Sequence, residues 1–307
     1  MNRRRNKGRP VNGILLLDKP HGITSNQALQ KVKRLFRARK AGHTGNLDPM
    51  ASGVLPICLG EATKMSAFLL DADKGYRGTI KLGVRTSSAD AEGEVIERCP
   101  VPELREEQIR EVLARFTGDI RQIPPMHSAL KHQGQPLYKL ARQGVEVERK
   151  PRSVTIYRLE LLGFADDEIE VEILCSKGTY VRTLAEEIGA ALGSCAHLGG
   201  LVRTSAGPFE LERSVTMERL EREAAQGLEA LDGLLLPIES ALADRPAVTL
   251  PRETAHYFCK GQPVFVPRVS AEGWVRIYGG EGRFLGVGTV QEDGRVAPKR
   301  LLSASPS

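Results

Sequence analysis

Apolar residues first gather in the run Gly13–Leu17, which ends at Asp18-Lys19-Pro20 and reads as a short buried strand. Just behind it, Thr24 and Gln27 have the spacing of a capping box, and Ala28, Leu29, Val32, Leu35 and Phe36 recur at helical intervals. From Gly42 to Pro56 the periodicity fades and glycine and proline accumulate, so an irregular loop is expected there. Strand-like runs follow at Gly78–Gly83 and Glu94–Glu97, then a helix marked by Ile109, Val112, Leu113 and Phe116 and closed by Gly118. Residues 123–152 form a polar, basic insertion. Two strands are expected at Val154–Leu162 and Glu168–Cys175; in the second, Glu168, Glu170 and Glu172 alternate with Ile169, Val171 and Ile173, the mark of a sheet with one wet face. Leu184, Ala185, Ile188 and Leu192 mark another helix, and Met217–Leu231 reads as an acidic, arginine-laced helix on a solvated outer surface.

The character of the chain changes near Asp244-Arg245-Pro246. Beyond it, Val264–Pro267, Trp274–Tyr278, Arg283–Val290 and Arg295–Leu302 are short strands separated by glycine turns. The expected organisation is a basic flexible tail over 1–11, a large domain over 12–245 that contains the insertion, and a small β-rich domain over 246–307. A chain of 307 residues is long enough for two cores.

Charge adds a partner class. The net charge is +6, and the excess is clustered. Arg3, Arg4, Arg5, Lys7 and Arg9 form one group; Lys31, Lys33, Arg34, Arg37, Arg39 and Lys40 form a second; Lys131, Lys139, Arg142, Arg149, Lys150 and Arg152 form a third. The first alone suits a solvated tail, but three separate groups suit a polyanion, because phosphate contacts supply most sequence-independent affinity. The five cysteines (Cys58, Cys99, Cys175, Cys195, Cys259) show no C-x-x-C pair, which argues against a zinc site and a disulfide framework and fits reduced, mostly buried thiols. The histidines show no H-E-x-x-H spacing, so no metal is expected. No apolar run is long enough for a bilayer, and no signal-peptide core is present, so the cytoplasm is the expected location.

The most unusual passage is Gly42-His43-Thr44-Gly45-Asn46-Leu47-Asp48-Pro49-Met50-Ala51-Ser52-Gly53-Val54-Leu55-Pro56. Its glycines let backbone approach a ligand, Pro49 biases Asp48 toward an extended conformation, and Asp48 is its only acid. An Asp-Pro in such a loop is also an ordinary turn former. The passage nevertheless closely resembles the G-H-T-G-x-L-D-P-x-A-[ST]-G-V-L signature of the TruB-type tRNA pseudouridine synthases, whose relatives include the RNA-guided dyskerin group. Other blocks match in the family's order: Leu15–Ser25 with its Lys19-Pro20, Lys74-Gly75-Tyr76, Gly83–Gly93 with Ser88 and Asp90, Gln122–Ala129 through Gly144, Gly178–Leu184, and Leu201-x-Arg203-Thr204. Met50, Ser52 and His127 depart mildly from the family pattern.

The resemblance implies an α+β fold: a mixed, largely antiparallel sheet flanked by helices, a thumb insertion at about 123–152, and a C-terminal PUA-like RNA-binding domain. It implies isomerisation of the T-loop uridine of tRNA, position 55 by tRNA convention, to pseudouridine. That reaction breaks an N–C bond and makes a C–C bond without redox change or group loss, so it demands no cofactor and no metal. Asp48 is then the nucleophile, attacking C1′ of the sugar or C6 of the base, and Arg182 is its charge partner. Tyr76 stacks on the base and can accept a proton; Tyr180 and Leu201 wall the pocket, roles hard to tell from core packing. His43 fills the stack vacated by the flipped base, or merely caps a turn. Lys19 holds phosphate or supports the loop, while Lys64 and the Lys31–Lys40 helix meet phosphates and the thumb with Arg142 clamps the T-arm. The expected partner is tRNA, with no obligatory protein partner, no membrane and a monomeric chain. A guide-dependent catalytic subunit and a tRNA-folding chaperone with secondary catalysis are the competing readings; a metal-dependent nuclease would need clustered carboxylates that the chain does not display.

Overall fold

The computed structural model describes residues 8–128, 130–141, 143–267 and 273–303. Arg142 and the basic residues Arg3, Arg4, Arg5 and Lys7 lie outside the described residues. The tail expected to be flexible is packed from Gly8 onward. Arg9 donates its backbone N–H to Arg37 and its side chain to the Phe36 carbonyl, and pairs with Asp232, while Val11 is buried.

In chain order the larger part runs β1 (Gly13–Lys19), α1 (Ser25–Leu35), β2 (Ala41–His43), β3 (Ala51–Leu59), α2 (Ser66–Leu70), β4 (Lys74–Leu82), β5 (Val84–Thr86) and β6 (Val95–Arg98). It continues through α3 (Glu106–Arg115), β7 (Gly118–Gln122), β8 (Lys131–His132), β9 (Gln135–Pro136), α4 (Leu137–Ala141), β10 (Arg152–Ala165), β11 (Glu168–Cys175) and α5 (Val181–Ala191). It closes with β12 (Ala196–Ala206), β13 (Phe209–Glu210), β14 (Val215–Thr216), α6 (Met217–Gln226) and α7 (Leu228–Asp232). A 10-stranded sheet orders these as β14-β1-β3-β12-β4-β11-β10-β7, with β2 on β3 and β13 on β12. Among the described residues, the parallel strand pairings of this sheet are β1–β14 and β3–β12, and the others are antiparallel. The expected α+β class with a mostly antiparallel sheet is therefore what forms.

Two apolar clusters lie on this sheet. Helices α3 and α5 bury Ile109, Leu113, Leu184 and Ile188 against Ile80, Val171 and Ile173. Helices α1, α6 and α7 bury Val32, Leu220 and Leu231 against Leu15, Leu17 and Ile57. Helix α1 begins where its sequence says, because Thr24 caps the Gln27 N–H and the Gln27 side chain returns to the Thr24 N–H. The acidic helix is two helices, broken at Gly227, whose φ of 130° lies outside helical space.

The small C-terminal unit is a five-stranded sheet ordered β15-β17-β18-β19-β16 (Ala247–Leu250, Trp274–Gly279, Phe284–Val290, Arg295–Leu301, Val264–Phe265), with α8 (Arg252–Cys259) against it. Phe258, Val275, Ile277 and Val296 form its interior. Its other face joins the larger sheet: Phe284 and Val287 share a cluster with Ile14, Leu16, Val54 and Phe209, and Trp274 meets Phe68 edge-on with centroids 4.5 Å apart.

The cysteine expectation needs one correction. Cys58 and Cys175 are buried thiols, but Cys99 and Cys195 are joined in a disulfide, with Cα atoms 5.6 Å apart. Their spacing in sequence hides this. Gly83 brings them together, donating its N–H to the Cys195 carbonyl and accepting the Cys99 N–H. Among the described residues no helix is long and apolar enough to cross a membrane.

Candidate active site

The passage expected to be one long loop is shorter than its glycine and proline content suggested. Residues 51–56 belong to β3, a central strand between β1 and β12, and the irregular part is the turn 44–50 that joins β2 to β3. Five hydrogen bonds hold this turn. Ser25 Oγ accepts the Leu47 N–H at 2.7 Å and donates to the Leu47 carbonyl. Gly22 N–H donates to the Pro49 carbonyl, Thr44 N–H donates to the Pro56 carbonyl, and Arg203 Nη1 donates to the Asn46 carbonyl at 3.3 Å. Asp48 thus projects from a braced backbone.

Gly53 makes the brace possible. Its φ is +99°, and a Cβ there would stand 2.2 Å from the Arg203 carbonyl oxygen on the neighbouring strand. Gly53→Ala is expected to destabilise the fold by about 3 kcal/mol, read as a lower urea midpoint at unchanged m-value.

Asp48 faces a cavity of about 910 Å³, whose lining includes Tyr76, Asp90, Tyr180, Arg182 and Leu201. Arg182, the second residue of α5, reaches across to it: Nε stands 3.1 Å from Asp48 Oδ2, and Nη1 stands 3.2 Å from Asp90 Oδ2. The same guanidinium donates to the carbonyls of Ser88 at 3.0 Å and His127 at 2.8 Å. The Asp90 side chain is 4% exposed, that of Asp48 42%. One cation therefore serves a sealed carboxylate and an open one. Burial raises the Asp48 pKa above the ordinary 3.8, Arg182 opposes the rise, and Asp90 adds to it.

Tyr76, on β4, is partly buried, and burial pushes its phenol up against the opposing charge of Arg203. Tyr180 caps α5, with its N–H and its carbonyl both held by Gln122. Leu201 on β12 stands opposite Ala51 and Gly78. These three and Asp48 share one space, as expected. His43 ends β2 outside that lining; its Nδ1 is buried without a partner, and burial lowers its pKa.

Two lysines are placed differently from a phosphate-binding role. Lys19 is fully buried, donates to the carbonyls of Pro20 at 2.9 Å and Ile23 at 2.7 Å, and is pushed down to about 8 by burial. Of the two roles expected for it, support of the loop fits this position. Lys64 pairs with Glu61 at 2.6 Å and donates to the Leu301 carbonyl and Ser303, which ties the larger part to the end of β19. Lys31, from the basic helix, pairs with Glu221 of α6. Sequence reasoning had assigned no role to Asp90, Gln122 or Arg203 and had read His127 only as a residue of the thumb. All four sat inside motif blocks, which was the available signal.

The family model described as TruB family pseudouridylate synthase (N terminal domain) matches residues 33–181, that of the tRNA pseudouridylate synthase B C-terminal domain matches 182–243, and that of Pseudouridine synthase II TruB, C-terminal, matches 246–302. The tRNA pseudouridine synthase B of Stutzerimonas stutzeri (strain A1501) is 57% identical over 295 residues, 96% of each chain. That of Nitrosococcus oceani is 54% identical over 299 residues, 97% of each chain. Among solved structures, a chain of a Cbf5-Nop10-Gar1 complex superposes with a TM-score of 0.73 at 26% identity, covering 96% of this chain and 84% of that one. With a glycine-braced carboxylate paired to a distant guanidinium and near-full-length identity above half, this chain belongs to the TruB family of pseudouridine synthases, which are isomerases.

Proposed function

We propose that the chain converts the T-loop uridine of tRNA, position 55 by tRNA convention, into pseudouridine, with Asp48 as nucleophile. The observation that carries this reading is the Asp48–Arg182 pair at 3.1 Å on the wall of a cavity large enough for a nucleotide. Relatives named for action on tRNA share more than half of its residues, against 26% for the Cbf5 chain, which favours a stand-alone enzyme over a guide-dependent subunit.

The chemistry follows from the side chains. The target base leaves its stack, at a cost of a few kcal/mol, and enters the cavity. Arg182 orients the Asp48 carboxylate and favours its ionised form, so a lone pair is available toward C1′ or C6 of the same nucleotide. Tyr76 and Leu201 face the base, and Tyr76 takes and returns a proton. Basic residues of the thumb and of α1 meet phosphates of the T-arm. The overall change is an isomerisation, so atoms and electrons balance within the substrate. Nothing in this sequence of events leaves the cytoplasmic tRNA pool.

The test is direct. Purified chain is incubated with an unmodified tRNA transcript and no guide RNA, and pseudouridine is mapped by selective carbodiimide labelling. Product at the T-loop uridine is expected; product elsewhere, or only with a guide, overturns the assignment. A pH series adds a second check. Since the carboxylate must be ionised to attack and its pKa is raised, the single-turnover rate should fall as pH drops through a midpoint above 3.8, with a slope of about one in log rate. A midpoint at or below that of free aspartate would remove Asp48 from the rate law.

A further inference from the structure

We propose that Arg203 is a positioning residue for this reaction: it fixes the turn bearing Asp48 and holds a donor and a positive charge ready for a Tyr76 phenolate. The inference rests on the assignment of Asp48 and Tyr76 made above.

Arg203 lies in the middle of β12 at 1% exposure. Its register neighbours are Gly53 on one side and Tyr76 on the other. Nε donates to the Val54 carbonyl at 2.6 Å and Nη1 to the Asn46 carbonyl at 3.3 Å, so one guanidinium ties the turn that carries Asp48 to strand β3. These two bonds are structural, and a neutral donor would serve them.

The charge is what they leave over. Among the described residues no carboxylate pairs with Arg203, and its Nη2 is buried with no hydrogen-bond partner. Burying a guanidinium with no carboxylate partner is costly, and the side chain that favours its charge is Tyr76, so this cation in a sheet interior beside the site points to use in the reaction. The groups around it come from every strand in contact. Lys19 from β1, His43 from β2 and Lys74 from β4 are all disfavoured as cations by Arg203. Tyr76, from β4, is the group whose ionisation it favours, against Asp48 on the turn and Cys175 on β11, which both oppose it. The guanidinium and the phenol oxygen are already in interaction, and that interaction strengthens once the phenol ionises. In that step the Tyr76 O–H proton leaves to solvent. The phenolate then takes a proton from a carbon of the bound nucleotide and returns one before product leaves, with no net proton and no redox change.

The experiment measures single-turnover pseudouridine formation from about pH 6.5 to about pH 9.5, with each variant expressed relative to the native enzyme at the same pH. In Arg203→Lys burial should push the new ammonium down, the direction seen at Lys19 and Lys74. At the acid end of the series the lysine is charged and the variant works; as pH rises the charge is lost. The relative rate should therefore fall by about tenfold or more across the series, with tRNA affinity and far-UV circular dichroism unchanged. In Arg203→Met the charge is absent throughout, and a rate about 100-fold below native at neutral pH is expected. A relative rate for Arg203→Lys that is flat with pH, or that falls only together with affinity or helicity, overturns the proposal and leaves Arg203 a strand brace. Should Arg203→Met fail to fold, the lysine series decides alone. Asp48→Asn measured alongside separates the two levels: product from that variant overturns the functional reading itself, whereas an inactive variant with a flat lysine series overturns only the role of Arg203.

Discussion

Asp48→Asn should lose at least about a thousand-fold in single-turnover rate while binding tRNA within a few-fold of the native enzyme. The two side chains have nearly the same shape, so the cavity wall stays in place. The amide nitrogen cannot act as the carboxylate does, and an asparagine facing Arg182 Nε replaces an ionic contact at 3.1 Å by a neutral one. Affinity is a separate matter, because phosphate contacts made elsewhere supply most of it. Gel-shift titration beside carbodiimide mapping reads both quantities. Parallel loss of binding and product would make Asp48 a scaffold for RNA rather than a nucleophile.

Arg182→Met should damage both stability and rate. The substitution removes the contacts to Asp48, Asp90 and the carbonyls of Ser88 and His127 together. Asp90, at 4% exposure, is then a buried carboxylate without its cation, a situation that costs about 3–5 kcal/mol. A fall in melting temperature of roughly 10 °C is expected for a domain of this size. Adding Asp90→Asn should recover much of the melting temperature and none of the rate, because the second change discharges Asp90 and leaves Asp48 unpaired. Arg182→Lys should recover only part of either, since a single ammonium does not span two carboxylates and two carbonyls. If the double variant regained activity, the pairing with Asp48 would be incidental.

How much of this was legible beforehand differs from segment to segment, for physical reasons. Helix α1 and strand β11 are encoded locally, by a capping box in one and strict alternation in the other, and their positions came directly from the residues. Strand β3 was hidden. Its Gly53 and Pro56 look like loop residues, and what makes a strand of them is the approach of β12, on which Gly53 stands against Arg203. The Cys99–Cys195 bond was hidden for a similar reason, as it depends on hydrogen bonds through Gly83. At the site, Asp48, Tyr76 and Arg182 were named from motif resemblance, and no period or spacing would have joined them. Asp90 escaped assignment because its role exists only where α5 delivers Arg182 to it. Lys64 was expected to meet phosphate, and Lys19 either to hold phosphate or to support the loop. A contact to the end of β19 engages Lys64 instead, and burial leaves Lys19 the supporting role.

The cluster shared by the two sheets has one more consequence. Ile14, Leu16 and Val54 owe part of their dryness to Phe284 and Val287, and Lys64 fastens the end of β19 to the same neighbourhood. A protein ending near Asp244 would wet the underside of the very strand that carries Val54 and begins at the Asp48 turn. The smaller sheet is thus not a detachable RNA handle but part of the foundation beneath the reaction. Swapping it between relatives should require carrying along the apolar residues of β1 and β3 on which it rests.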